Sequence, residues 1–212
     1  MFEKAERKVE EYTFFFHQLK LCETQDPNAT EFFFNALLNA GKNVVYALCA
    51  QVYTCESTCL PCDKAKKKAK QACTDHIKAW KRTRGGFHPT LFDVLQDVRD
   101  IETHADRSAV DYLSKTEERR RLRDIPSEPH YAAVFINYQK TGQLSPYVTE
   151  STITYDLRMD PAVSSKKGVQ ERLKAFNKRK PESITEVATT YMALLESLVA
   201  YFREHYAPPS SA

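Results

Sequence analysis

The spacing of apolar residues along the chain predicts a fold made mainly of helices. In the first segment, residues 2–21, apolar side chains recur every three to four positions, as they do on one face of an α-helix. A second helix is predicted to start at Asp26-Pro27, because an acidic residue followed by proline suits a helix N-terminus. Over residues 32–53 this helix is apolar on nearly all sides, which is typical of the buried centre of a bundle.

Two further helices are predicted on either side of a loop. Residues 64–81 form a lysine-rich helix, and the glycine pair and proline of residues 85–89 form the loop. Thr90 and Asp93 then resemble a capping box, with which an amphipathic helix over residues 91–113 would begin.

After this helix the pattern of apolar residues changes from a helical period to a strand period. Residues 119–123 are read as a charged helix end, and residues 131–138 are rich in β formers. Over residues 152–159 apolar and polar side chains alternate, which predicts a half-buried strand. Turn-forming residues separate the last two segments. We therefore expect a β-hairpin at about 130–159, inserted between helices.

The end of the chain is again predicted to be helical. Helices resume at about residue 163, and Ser183 with Glu186 caps a last helix over 184–206. Residues 207–212 form a short tail of alanine, proline and serine that is expected to be disordered. The sequence thus predicts one helical-bundle domain, residues 1–206, with the hairpin as an insertion.

Composition fits such a domain and excludes several classes. Of 212 residues, 42% are hydrophobic and 28% are charged, as in soluble globular proteins. Only five glycines are present, too few for a glycine-rich nucleotide-binding fold. No signal-peptide segment and no apolar run of about 18 residues occurs, so we expect a cytoplasmic protein without a membrane span. Its six cysteines are then expected to be reduced.

The net charge of +3 is small, but basic residues are concentrated in two runs. One run covers residues 166–180. The other, residues 64–84, covers the third predicted helix and the residues just after it. It contains one acid and nine basic residues, namely Lys64, Lys66, Lys67, Lys68, Lys70, Lys78, Lys81, Arg82 and Arg84. Such runs bind polyphosphates by releasing counterions, although a lysine-rich helix face can also be simply solvated. We interpret the nine residues as an RNA-binding surface.

The chemistry most specific to this chain lies in the amphipathic helix. Arg99 is followed directly by Asp100, and His104 comes five residues after Arg99. Histidine transfers protons near neutral pH, and an arginine fork holds a phosphate. Asp100 and His104 share a helix face, so Asp100 could orient the imidazole. Glu102, which interrupts the apolar stripe, and His88, in the preceding loop, are secondary candidates.

This arrangement resembles the R-x4-6-H motif of the HEPN-domain ribonucleases. The resemblance implies a helical bundle that works as a homodimer, with two motif copies facing each other across a cleft. It implies a metal-independent endoribonuclease in which Arg99 binds phosphate, Asp100 orients His104 and His104 transfers protons. Members of that family often act as toxins or in phage defence, with an antitoxin or regulatory partner. The alternative is a non-catalytic bundle of similar shape that binds nucleic acid or protein.

The cysteines allow four interpretations. Cys55, Cys59 and Cys62 have a C-x3-C-x2-C spacing that resembles the iron–sulfur motif of radical S-adenosylmethionine enzymes, but those enzymes have a glycine-rich α/β barrel. With Cys73 or His76 they could instead hold a structural zinc ion, although zinc ligands usually come in tighter pairs. Reduced cysteines without metal, or a redox disulfide, are the other two interpretations.

Overall fold

The computed structural model of the protein describes residues 2–22, 27–56, 62–104, 110–122, 147–179 and 182–206. In chain order the elements are α1 (Glu3–Cys22), α2 (Pro27–Glu56), α3 (Cys62–Arg82), α4 (His88–His104), β1 (Val110–Leu122), β2 (Tyr147–Met159), a 3-10 turn (Pro161–Val163), α5 (Lys167–Asn177) and α6 (Ile184–Tyr206). Helices dominate, so the prediction of a mainly α bundle is confirmed.

Contacts divide the chain into two compact units. The first, the helical unit, consists of Met1–Leu113 and Tyr155–Ala212, and the second consists of Ser114–Thr154. Helices α1 to α6 all belong to the helical unit, so helices from both halves of the chain share one core. Within the described ranges, no helix combines the length and the apolarity needed to cross a bilayer.

The core of the helical unit is centred on α2 and α6. Tyr12 in α1 is fully buried, and its hydroxyl donates a hydrogen bond to the Ala188 carbonyl oxygen in α6 at 2.8 Å. At Gly41 in α2 the backbone passes so close to α6 that an added Cβ would lie 2.5 Å from Cε1 of Tyr191. The two central helices therefore meet at a glycine, which leaves room for the Tyr191 ring.

One face of α2 is open, although the sequence predicted a helix buried on nearly all sides. Asn39 and Tyr46 on this face are exposed, while Leu37, Leu38, Val44 and Leu48 are buried. The apolar content of the helix was read correctly, but the few polar positions at helical spacing mark a surface. That surface lies beside α4, as the contacts below show.

The helix predicted to run to Leu113 is shorter in the structure. α4 ends at His104, and β1 covers Val110–Leu122, including the residues read as a charged helix end. Strand β1 pairs with β2 in a two-stranded sheet. Pairing with a distant segment supplies backbone hydrogen bonds that outweigh the helical preference of Glu and Arg residues. The local sequence pattern contains no information about that partner.

The second predicted strand is confirmed within β2. Leu157 and Met159 are buried and Arg158 between them is exposed, as the alternating pattern requires. Asn177 at the end of α5 fixes this strand, since its Oδ1 accepts from the Met159 amide at 2.9 Å and its Nδ2 donates to the Met159 carbonyl at 2.6 Å. The first predicted strand, residues 131–138, and the predicted tail, 207–212, lie outside the described residues.

Candidate functional site

Helix α4 carries the motif and starts earlier than the capping box predicts. Gly86 has a φ of 63°, which favours glycine, and the Phe87 carbonyl oxygen accepts a hydrogen bond from the Leu91 amide at 2.9 Å. The helix thus begins at His88, and Thr90 lies within its first turn. Asp93 forms an ion pair with Lys81 of α3 and does not cap the helix.

Helix α4 has an apolar face that packs in the core and a polar face that forms ion pairs. Its apolar face is buried in the core and consists of Leu91, Phe92, Val94, Leu95 and Val98. On its polar face three aspartates at positions 93, 97 and 100 each pair with a cation from a different helix. These ion pairs hold α4 against α3, α5 and α2 respectively.

Arg99 is held in a fixed position by two neighbours. Its Nε donates a hydrogen bond to Oδ1 of Asn39 in α2 at 3.0 Å, and its Nη1 lies 3.3 Å from Oδ1 of Asp100. The side chain is only 17% exposed. Among the described residues Nη2 has no partner, so one amino group of the fork is available to a phosphate oxygen.

Asp100 links Arg99 to a second cation. Its Oδ2 accepts from Nζ of Lys42 in α2 at 3.1 Å, and the Lys42 side chain is 14% exposed. Two cations thus share one carboxylate, and the group formed by Asn39, Lys42, Arg99 and Asp100 has a net positive charge. We call this group the α2–α4 cluster. It attracts anions, and phosphate is the anion that two such cations suit.

An open pocket of about 420 Å³ adjoins the cluster. Its lining includes Asp97 and Asp100 of α4, Tyr46 of α2, and residues 163–166 and Val169 at the start of α5. Asp97 is largely buried and pairs with Arg172, Oδ2 to Nη2, at 2.6 Å. Burial raises the pKa of the Asp97 carboxyl above its ordinary value, and the Arg172 guanidinium partly opposes this shift.

Helix α4 also makes a buried polar contact with α6. Gln96 of α4 donates a hydrogen bond from Nε2 to the Tyr191 hydroxyl of α6. Burial raises the pKa of Tyr191, and the negative charge of Asp100 adds to the shift. Tyr191 therefore stays neutral and keeps α4 in register with α6.

The other predicted catalytic residues are only partly placed. His104 is the last residue of α4, and its side chain lies outside the described part of the chain. Glu102 is half-buried. His88 is exposed at the other end of α4, eleven residues and thus about 16 Å along the axis from Arg99. The structure does not bring His88 to the cluster.

Helix α3 has a buried face and a basic face. Ala69, Cys73 and Trp80 are buried. The exposed basic residues are Lys64, Lys66, Lys67, Lys68, Lys70, Lys78 and Arg82. Two residues of the predicted RNA surface have other contacts: Lys81 pairs with Asp93, and Cζ of Arg84 lies 5.6 Å from the centre of the Trp80 ring.

The expectation of reduced cysteines is wrong for one pair. Cys49 of α2 and Cys73 of α3 form a disulfide, with their Cα atoms 5.5 Å apart. Cys73 is therefore not a thiolate ligand while this bond is intact. Counting spacings along the chain missed Cys49, because only helix packing shows which cysteine faces which.

The other four residues predicted as zinc ligands are Cys55, Cys59, Cys62 and His76, and the structure describes the side chains of only two of them, Cys55 and His76. Cys55 is half-buried near the end of α2, Cys59 lies outside the described residues, and the side chain of Cys62 is not described. His76 contacts rings of α6, with its centroid 5.0 Å from that of Tyr206. Zinc binding by Cys55, Cys59 and Cys62 stays a prediction.

Asn39 and Lys42 are site residues that sequence reasoning missed. They lie three positions apart in a helix read as apolar, and polar residues at that spacing could have indicated an open face.

Comparisons of the chain with protein-family models, characterised proteins and solved structures found no match. The functional argument consequently depends on the chemistry of the site alone.

Proposed function

We propose that this protein is a metal-independent endoribonuclease of the HEPN type, with Arg99 and His104 as its catalytic residues. The observation that carries the proposal is the α2–α4 cluster. An arginine next to the surface is fixed by Asn39 and Asp100 and has a second cation beside it. His104 follows five residues later, about 1.4 helical turns along α4. A pre-positioned pair of cations is what charge development on a phosphate requires.

The proposed reaction cleaves the RNA backbone by attack of the ribose 2′-hydroxyl. Arg99 and Lys42 bind the scissile phosphate, and His104 accepts the proton of the 2′-hydroxyl as O2′ bonds to phosphorus. The bond from phosphorus to O5′ breaks, and an imidazolium donates a proton to O5′. The products are a 2′,3′-cyclic phosphate and a 5′-hydroxyl. Two chains paired in a homodimer would supply both imidazoles.

Asp100 acts in this proposal as a positioning residue for Arg99 and Lys42. Both of its carboxylate oxygens accept from these cations. The sequence assigns Asp100 to orienting His104, and that role stays a prediction because the His104 side chain is outside the described part of the chain. A base, an acid and a cation are sufficient for the reaction, so activity is expected in EDTA.

The test is cleavage of a single-stranded RNA in EDTA, with the same sequence in 2′-O-methyl form as a control. We expect the natural RNA to be cut to 5′-hydroxyl products and the methylated RNA to stay intact. His104→Ala should abolish cleavage. Arg99→Lys should lower the rate tenfold or more with little change in RNA affinity, because lysine lacks the planar fork.

The matched control is Arg179→Lys, since Arg179 pairs with Glu182 away from the cluster and its replacement should leave the rate unchanged. Cutting of the methylated RNA, or a parental rate for His104→Ala, would show that the proposal is wrong.

The exposed lysines of α3 favour a second candidate function, RNA binding without cleavage. That function predicts that both RNAs are bound and neither is cut.

A further inference from the structure

Tyr46 is an aromatic side chain that is exposed to solvent and does not pack in the helical core. It lies on the open face of α2, and 53% of its surface is exposed. It lies next to the α2–α4 cluster, since Nζ of Lys42 is 5.6 Å from its ring centre and the same Nζ pairs with Asp100. An exposed ring beside a phosphate-binding cluster is a surface on which a base can stack.

Tyr46 also lines two open pockets. One is the pocket of about 420 Å³ beside Asp97 and Asp100. The other, of about 570 Å³, lies between α1 and α2 and is also lined by Tyr46. Both volumes are within the range of small-ligand sites, so each can accept part of a nucleotide.

The second pocket is basic. Lys4, Arg7 and Lys8 line it from α1, where positions i, i+3 and i+4 share one face. Lys8 pairs with Glu11, which also lines the pocket. Among the described residues, Lys4 and Arg7 form no ion pair. Their charges are therefore available to phosphate oxygens.

We propose that these two pockets form one binding track for single-stranded RNA. A base of the RNA stacks on Tyr46. Along the RNA strand, the phosphates before or after this base on one side contact Lys4 and Arg7. The next phosphate in the opposite direction contacts Arg99 and Lys42. This proposal rests on the proposed function, because it places the scissile phosphate at the α2–α4 cluster. Only an unpaired base can stack on a side chain in this way, so a duplex is excluded from the track.

The experiment measures binding of a fluorescent 2′-O-methyl oligonucleotide, which cannot be cleaved by 2′-hydroxyl attack. We expect the single strand to bind more tightly than its duplex. Tyr46→Ala should weaken binding of the single strand about tenfold, as expected for the loss of one stacked base, and Tyr46→Phe should keep it. Phe14→Ala is the matched control, because Phe14 is also an exposed aromatic residue of the bundle and lines neither pocket.

The charged part of the track is tested by Lys4→Glu combined with Arg7→Glu. We expect weaker binding and a lower slope of log K against log salt, by about 0.7 for each lost phosphate contact. Since all these residues are on the surface, the thermal melting of each variant should match the parent. Parental affinity for Tyr46→Ala, or equal affinity for single strand and duplex, would overturn the proposal.

The failure of this proposal and that of the proposed function can be told apart. If natural RNA is cut at the parental rate by Tyr46→Ala and by the double variant, the track is wrong while the ribonuclease function stands. If binding depends on Tyr46, Lys4 and Arg7 but natural RNA is not cut, the track stands and the catalytic assignment is wrong.

Discussion

Asp97 and Asp100 lie three residues apart on α4 but have different surroundings. Asp97 is largely buried and pairs with Arg172, and burial raises the pKa of its carboxyl. Asp100 is about half exposed and lies between Arg99 and Lys42. The first carboxylate therefore loses more of its hydration on folding, and the second mainly fixes the positions of two cations.

The raised pKa of Asp97 predicts how stability depends on pH. A carboxyl whose pKa is higher in the folded state than in the unfolded state stabilises the fold when protonated, and this contribution is lost as pH rises through the folded pKa. The stability of the parent relative to Asp97→Asn should thus be greater at pH 4 than at pH 7. Urea unfolding of both proteins at the two pH values measures this difference.

Both proteins contain the same other titrating groups, so the contributions of those groups to the pH dependence cancel in the comparison. Asp160→Asn is the matched control, because Asp160 caps the 3-10 turn at Pro161. The stability of Asp160→Asn relative to the parent is measured at the same two pH values. A stability of the parent relative to Asp97→Asn that rises from pH 4 to pH 7 would contradict the assignment.

The residue scale also shows which parts of a site can be predicted from sequence. Arg99 and Asp100 could be found because the motif is contiguous and its chemistry is specific. Asn39 and Lys42 lie 60 and 58 residues from their partners, so no local pattern connects them to α4. The lining of the Tyr46 pockets likewise depends on how α1, α2 and α5 pack.

At the scale of elements, α3 is joined to the bundle by its buried face and by a covalent bond. Cys73 lies on the face that contains Ala69 and Trp80, and its disulfide with Cys49 connects α3 to α2. The exposed lysines of α3 take no part in this contact. The disulfide therefore fixes the basic helix without using any of its charged residues.

Removing this disulfide should lower the free energy of unfolding by about 3.5 kcal/mol, the loop-closure value for cysteines 24 residues apart. The variant is Cys73→Ser, compared with the parent by urea unfolding without and with reductant. Cys22→Ser is the control, since Cys22 is half-buried and forms no disulfide. If reductant changes the parent no more than it changes Cys73→Ser, the disulfide does not contribute to stability in solution.

The exposed face of α3 predicts a salt-dependent contribution to RNA binding. Changing Lys66, Lys67 and Lys70 to Glu should weaken RNA binding and lower the slope of log K against log salt by about 0.7 for each lost phosphate contact. Changing the same three residues to Arg keeps the charge and should retain both affinity and slope. An unchanged slope in the Glu variant would mean that this face is solvated and does not bind RNA.

Elements with a strong local period could be predicted, and elements that depend on a distant partner could not. The helical spacing of apolar residues predicted α1, α2 and most of α4, and alternation predicted part of β2. The lysine-rich segment 64–81 predicted α3, and the cap at Ser183 predicted the start of α6. β1 was predicted as helix, because its strand conformation comes from pairing with β2. Local propensity favours a helix over its charged half, and the sheet overrides that preference.

At the scale of the whole molecule, the helical unit has an extensive apolar core of its own. Its buried apolar side chains run from Phe2 to Phe202. α6 alone buries nine residues, among them Tyr191, Leu195 and Phe202. A two-stranded sheet has little core of its own, so the stability of the fold should reside in the helices.

This division predicts that the helical unit folds without the second unit. In the variant we propose, a flexible Gly/Ser linker of about ten residues replaces residues 114–154 and keeps the β2 residues that Asn177 holds. We expect one cooperative thermal transition close to that of the parent, followed by circular dichroism. A second variant that ends before Ile184 should lose the transition, because without α6 the core residues of α1 and α2 are exposed to water. If the linker variant also lacks a cooperative transition, residues 114–154 are part of the folding unit and the chain cannot be divided in this way.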